Sequence, residues 1–85
     1  MDAEFILQVG EKYDYQIDMS EIWAGDTIAS VVWTIPTGLT GSLETHTTTT
    51  ATIWIERTVS GSLLVSALLT SAAGRKEVVN WLFKG

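Results

Sequence analysis

An all-β fold, two short antiparallel sheets packed as a sandwich, is what this sequence predicts, and three observations carry the prediction. β-Branched and aromatic residues recur at period two along most of the chain. No window of about 11 residues keeps a clean helical stripe. Turn residues interrupt the apolar runs every ~8–12 residues, the spacing of short strands in a sandwich. At 85 residues the chain has room for one domain, and a domain of that size buries only about 60% of the surface its unfolded chain exposes.

Each element follows from its own residues. Residues 1–11, with "EFILQV", alternate weakly and form an N-terminal arm or edge strand that either pairs with the domain's own sheet or lies along a neighbour. Residues 12–85 form the sandwich domain. In "YDYQID", Tyr13, Tyr15 and Ile17 alternate with polar neighbours, as in a strand with one wet face. "MSEIWAGD" suits a single helical turn capped by Ser20 and ended by Gly25-Asp26. Thr27 to Ile35 is a strand with Ala29, Val31, Trp33 and Ile35 toward the core and Ile28, Ser30, Val32 and Thr34 away from it. Pro36, the sole proline, stops that strand, and "TGLTG" turns the chain before a short strand around Leu43.

The threonine run "THTTTTATIWIER" is low in complexity, yet threonine suits a strand with one solvated face. Thr50 to Arg57 is therefore a strand with Ala51, Ile53 and Ile55 inward and Thr52, Trp54 and Glu56 outward. "TVSGS" turns into a strand from Leu63 to Thr70, whose apolar side is Leu63, Val65, Ala67 and Leu69. "SAAGR" closes a hairpin to the last strand, Lys76 to Lys84, with Val79, Trp81 and Phe83 on one face. Six or seven such antiparallel strands favour an immunoglobulin-like sandwich, with a small closed barrel as the alternative.

Composition narrows the function. The chain has no cysteine, hence no disulfide framework or thiolate metal site. No apolar run of about 18 residues and no signal-peptide pattern occurs, so the expectation is a soluble chain without a membrane partner. Ten acidic against 5 basic residues, net charge -5, disfavour nucleic acid. The charge is lopsided: Asp2, Glu4, Glu11, Asp14, Asp18, Glu21 and Asp26 stand against Lys12 alone in the first 26 residues.

The catalytic inventory is thin. His46 is the one histidine, with Glu44 at a spacing of two, and catalysis or metal binding needs further convergent groups. Asp14, Asp18 and Asp26 are oxygen donors without a calcium-loop spacing. No enzyme, cofactor or metal site is expected. Four tryptophans exceed what a thin core requires. Trp33, as the main aromatic plug, and Trp81 fit the core, whereas Trp23 and Trp54 fall where burial is less assured and are candidate partner contacts, together with Phe5 and Ile6 of the arm.

The stretch "YDYQIDMSEIWAGDTIASVVWTIPTGLT" resembles short bacteriophage and prophage virion proteins of the fiber-tail adaptor type. Their pattern is a tyrosine strand, Asp-x-Ser, an aromatic or leucine before Gly-Asp-Thr-Ile, then Ser, Trp, Pro and Gly-Leu-Thr. Tyr15, Asp18, Ser20, Trp23, Gly25, Asp26, Thr27, Ile28, Ser30, Trp33, Pro36, Gly38, Leu39 and Thr40 supply it in order. A second block, a glycine turn and Thr-Thr-x-x-Gly-Arg, corresponds to Gly61, Thr70, Ser71, Gly74 and Arg75. Met19 and Leu64 depart from it, each where an aromatic is common, and the Lys-Asp-Pro opening is absent. The resemblance implies a non-enzymatic virion protein with an immunoglobulin-like fold, repeated by symmetry and docked on tail, connector, fibre or capsid subunits. Capsid decoration, and a glycan-binding sandwich stacking sugars on Trp54 or Trp23, are the alternatives. Physically, the block specifies a fold: Asp26 satisfies turn donors, Trp33 fills the core and Pro36 ends pairing.

Overall fold

The computed structural model describes residues 2–85; the first residue of the N-terminal arm lies outside them. Seven strands form among the described residues: β1 (Asp2–Ile6), β2 (Lys12–Asp18), β3 (Ile28–Thr34), β4 (Leu39–His46), β5 (Thr50–Arg57), β6 (Leu63–Ser71) and β7 (Lys76–Lys84). They make a four-stranded sheet, β1-β7-β6-β3, and a three-stranded sheet, β2-β5-β4. Neighbouring strands are antiparallel except β1, which runs parallel to β7 from Asp2 opposite Asn80 to Ile6 opposite Lys84. The arm thus completes the domain's own sheet. The sheets do not join through β3 and β4, so the fold is an open sandwich and not a closed barrel.

The core lies between the sheets and follows strand alternation. Ala51, Ile53 and Ile55 of β5, Val65, Ala67 and Leu69 of β6, and Val79, Trp81 and Phe83 of β7 are all buried. At its centre the rings of Phe5, Tyr15, Trp81 and Phe83 pack at centroid distances of 4.9–6.5 Å, tilted or edge-on in every pair but the stacked Phe5–Phe83. Such arrangements suit the ring quadrupoles. Burial raises the pKa of the Tyr15 hydroxyl, and the nearby Glu11 and Tyr13 add to the effect.

Three expectations need correction here. The register of β3 shifts between Ile28 and Ser30. A bulge exchanges the two faces at that point, so Ile28 is buried and Ala29 exposed, while Val31, Trp33 and Ile35 still face inward. Trp33 is only half-buried, because β3 is an edge strand; its indole lies 5.5 Å from that of Trp81, which occupies the centre. The strand around Leu43 spans eight residues, Leu39–His46, and absorbs an irregularity between Ser42 and Thr45, where Leu43 adopts a φ of 51°.

The chain crosses between sheets four times, three times at one end and once at the other, where two hairpins also turn. At one end, here the lower, lie residues 7–11, 35–38 and 58–62. Arg57 is fully buried there and donates through Nη1 to Phe83 O at 3.4 Å and through Nη2 to Gly61 O. The Leu39 amide donates to Pro36 O at 3.3 Å, so half-buried Pro36 both ends β3 and begins the turn. Gly38 in that turn has φ 103°, and an added Cβ would sit 3.0 Å from Leu63 Cδ1 and 3.2 Å from Val59 Cβ.

The upper end gathers residues 19–27, 47–49 and 72–75. The threonine run is explained there: Thr47 Oγ1 accepts from the Thr50 amide at 3.1 Å, and the hydroxyls of Thr47 and Thr50 meet at 2.8 Å. Side-chain hydroxyls so placed build the turn itself. The carbonyls of Thr48 and Thr49 then accept from Ile28 N and Met19 N, each at 2.8 Å, tying the hairpin to the β2–β3 crossover.

Candidate docking surfaces

The upper end places one predicted contact residue differently from expectation. Trp23 N donates to Met19 O at 2.9 Å, which closes a single helical turn. Asp18 caps it by accepting from Ser20 N at 2.9 Å, a bond that, with the Ser20 hydroxyl, lowers the carboxyl's pKa. The turn folds over the end of the sandwich, and Met19 and Trp23 join the buried core at 1% and 6% exposure. Trp23 is therefore a plug and not a partner contact. Its aromatic bulk was legible in the sequence; its direction was not, because a single turn between sheets has no periodicity of its own.

Above that plug, Asp26 accepts from Thr27 N at 2.8 Å and from Arg75 Nη1 at 2.7 Å. The Ser71 hydroxyl and Thr27 amide, with Arg75 and the Ala73 amide, hold the Asp26 carboxyl down to about 2. The Gly-Asp-Thr-Ile block and the Gly-Arg block thus meet as one bonded structure.

Phe5 also leaves the surface: half-buried, it stacks 5.4 Å from Phe83 and faces the core, because alternation along β1 turns Ala3 and Phe5 inward. Ile6, the next residue, is 78% exposed. Trp54 is half-buried on the outer face of β2-β5-β4, opposite Asp14 on β2 and Ser42 on β4. Its face is otherwise polar, with Lys12, Gln16 and Asp18 opposite Glu56, Thr52 and Thr50.

The outer face of β1-β7-β6-β3 has another character. Val32, Leu68 and Val78 pair in one row across three strands. Leu64 opposes Leu82 in a second row, which Glu4 continues onto β1. Between the rows Ser66 donates to Asn80 at 2.8 Å and Asn80 to Asp2 at 3.3 Å. Val32, Leu64, Leu68 and Val78 are all 36–58% exposed. Strand alternation could have found this surface, since the outward set of each strand was legible. Only the strand order aligned those sets into rows.

A third feature is a cleft between the free edges of β3 and β4, lined by Val31, Trp33, Glu44, Thr45 and His46. His46 is exposed, with Nδ1 3.2 Å from Thr47 O. Asp14, Asp18 and Asp26 stand apart, on the β2 face, at the cap and against Arg75. Among the described residues no group of three or more His, Asp or Glu side chains is placed to hold a metal ion, and no helix is long and apolar enough to cross a membrane. The surfaces present shape and apolar area, the means of a docking protein.

No curated protein matches the chain. The solution structure of the PKD domain from KIAA 1837 protein is similar, with a TM-score of 0.57 at 17% identity over 98% of this chain and 79% of that one, a likeness of immunoglobulin-like fold. Residues 8–83 match the family described as Podophage GP4 fiber-tail adaptor protein gp77. By that match the chain belongs to the podophage fiber-tail adaptor family: it is a non-enzymatic structural component of the phage tail, and its work is to bind other virion proteins.

Proposed function

We propose that the protein bridges the tail connector and the fibres in multiple copies related by the tail's symmetry, and that it docks on one of these partners through the outer face of β1-β7-β6-β3. The supporting observation is the row Val32–Leu68–Val78 beside Leu64 and Leu82. A solvated sheet face alternates toward polar residues, as the Trp54 face does, and a contiguous apolar face marks an interaction surface. Ile6, exposed at the end of β1 on the same sheet, extends it. Symmetric repetition multiplies a modest contact into a stable assembly.

The test is incorporation into tails assembled without the parent protein. Leu64→Ser combined with Leu68→Ser leaves the core untouched, so thermal unfolding stays close to the parent while incorporation falls about tenfold or more. Parent-like incorporation of the folded variant refutes the docking face. A second reading rests on Trp54, whose half-exposed ring between Asp14 and Ser42 suits stacking against a sugar. It requires Trp54 fluorescence to change on adding host surface polysaccharide, and Trp54→Ser to abolish the binding.

A further inference from the structure

Four strands end the two sheets, β1 and β3 in one and β2 and β4 in the other. An edge strand leaves alternate N–H and C=O groups unpaired by its sheet, and proteins guard such edges with charge, brevity or bulges. β1 is five residues long and carries Asp2 and Glu4. β2 carries Lys12, Asp14 and Asp18. β4 carries Glu44 and the irregularity at Leu43. β3 is guarded by a bulge at its start alone. From Ser30 to Thr34 its register with β6 is regular, and the segment "SVVWT" has neither charge nor proline.

The space beside that edge is shaped for side chains. Val31 and Trp33 form its apolar floor, Trp33 is backed by Trp81 at 5.5 Å, and Glu44, Thr45 and His46 of β4 form its far wall. We propose that the Ser30–Thr34 edge receives an extended segment of a neighbouring virion protein. That segment adds as a further strand beside β3, lays an apolar side chain over Val31 and Trp33, and sets a basic side chain against Glu44. Main-chain bonds give such a junction its affinity and the side-chain pocket its selectivity. The basic residue follows from charge complementarity with Glu44, the carboxylate that lines the cleft. The inference rests on the adaptor reading and supplies a second surface, separate from the apolar sheet face, as a bridge between two partners requires.

Hydrogen exchange compared between the free protein and assembled tails tests the edge directly. The amides of Ser30–Thr34 that point away from β6 are expected to slow about tenfold or more on assembly, and unchanged exchange there overturns the proposal. Glu44→Lys, at an exposed position, should fold like the parent and lose about tenfold in incorporation. If it is incorporated like the parent, the basic partner segment is wrong. If the free protein sediments as a dimer with these amides already protected, two copies pair with each other and the proposed partner is refuted. The Leu64→Ser/Leu68→Ser result is read separately: parent-like incorporation of that variant with slowed Ser30–Thr34 amides rejects the sheet face and supports the edge.

Discussion

The two ends of the sandwich are closed by opposite uses of charge. At the upper end an apolar plug, Met19 and Trp23, fills the opening, and the ion pair of Asp26 with Arg75 lies over it, Arg75 being 62% exposed. At the lower end the charge is inside: Arg57 is completely buried and its guanidinium holds the carbonyls of Phe83 and Gly61, while its Nε has no partner among the described residues. Gly85 packs over Arg57, 3.3 Å from its Cζ to an added Cβ that would also collide with Leu7 O. A pair whose cation stays solvated orders loops at small cost to lose, whereas a buried cation strands every acceptor it served when it is removed. The lower end is therefore fastened by polar bonds in the interior and the upper by apolar burial.

The largest effect should come from the plug. Trp23→Ala is expected to cost about 3–5 kcal/mol, the range for a buried aromatic, measured by urea unfolding, and Trp33→Ala should cost less because that ring is half-exposed. Equal midpoints for the two variants would remove the distinction between plug and edge. Next, Arg57→Ala should cost about 2–4 kcal/mol through lost volume and two stranded carbonyls. Arg57→Met, which keeps volume but not donors, should fall between it and the parent. If both arginine variants melt with the parent, the lower end does not depend on the buried cation.

Asp26→Asn should lower the melting temperature less than either of these, and mainly as a function of pH. A carboxyl held at about 2 against an ordinary 3.8 adds stability that is complete above pH 3.8 and is lost as pH falls through 2. Melting curves of the parent should therefore drop between pH 4 and 2 by more than those of Asp26→Asn. Parallel curves would show that the pair does not fasten the upper end. The smallest effect belongs to His46, an exposed side chain whose one hydrogen-bond contact among the described residues is with Thr47 O beside it. His46→Ala and added chelator should both leave melting unchanged, and a chelator-induced loss of structure would reveal a metal contribution to closure.

Much of this fold was legible because alternation is a local signal. β5 and β7 run over Thr50–Arg57 and Lys76–Lys84, as their patterns predict, with the expected faces inward. Illegible were the places where one strand's phase is broken or its neighbours decide. The bulge after Ile28 exposes Ala29 without any marker in "TIASVV", and Trp33 reads as a central plug until β3 is known to be an edge. Trp23 and Phe5 were misplaced for related reasons, one standing in a lone turn and the other in a weakly alternating arm.

By itself the sequence determined the all-β class, most strand spans, the turn chemistry, and a family-specific pattern whose residues fall in two blocks. Periodicity, glycine, proline and threonine act within a few residues, so each can be read in place. Only the tertiary structure decided that Asp26 meets Arg75 across 49 positions, that Val32, Leu68 and Val78 form one row, and that the Ser30–Thr34 edge lies open beside Glu44. Those are properties of strand order and register. They arise when distant segments compete to bury the same few apolar faces, and no single segment carries that outcome.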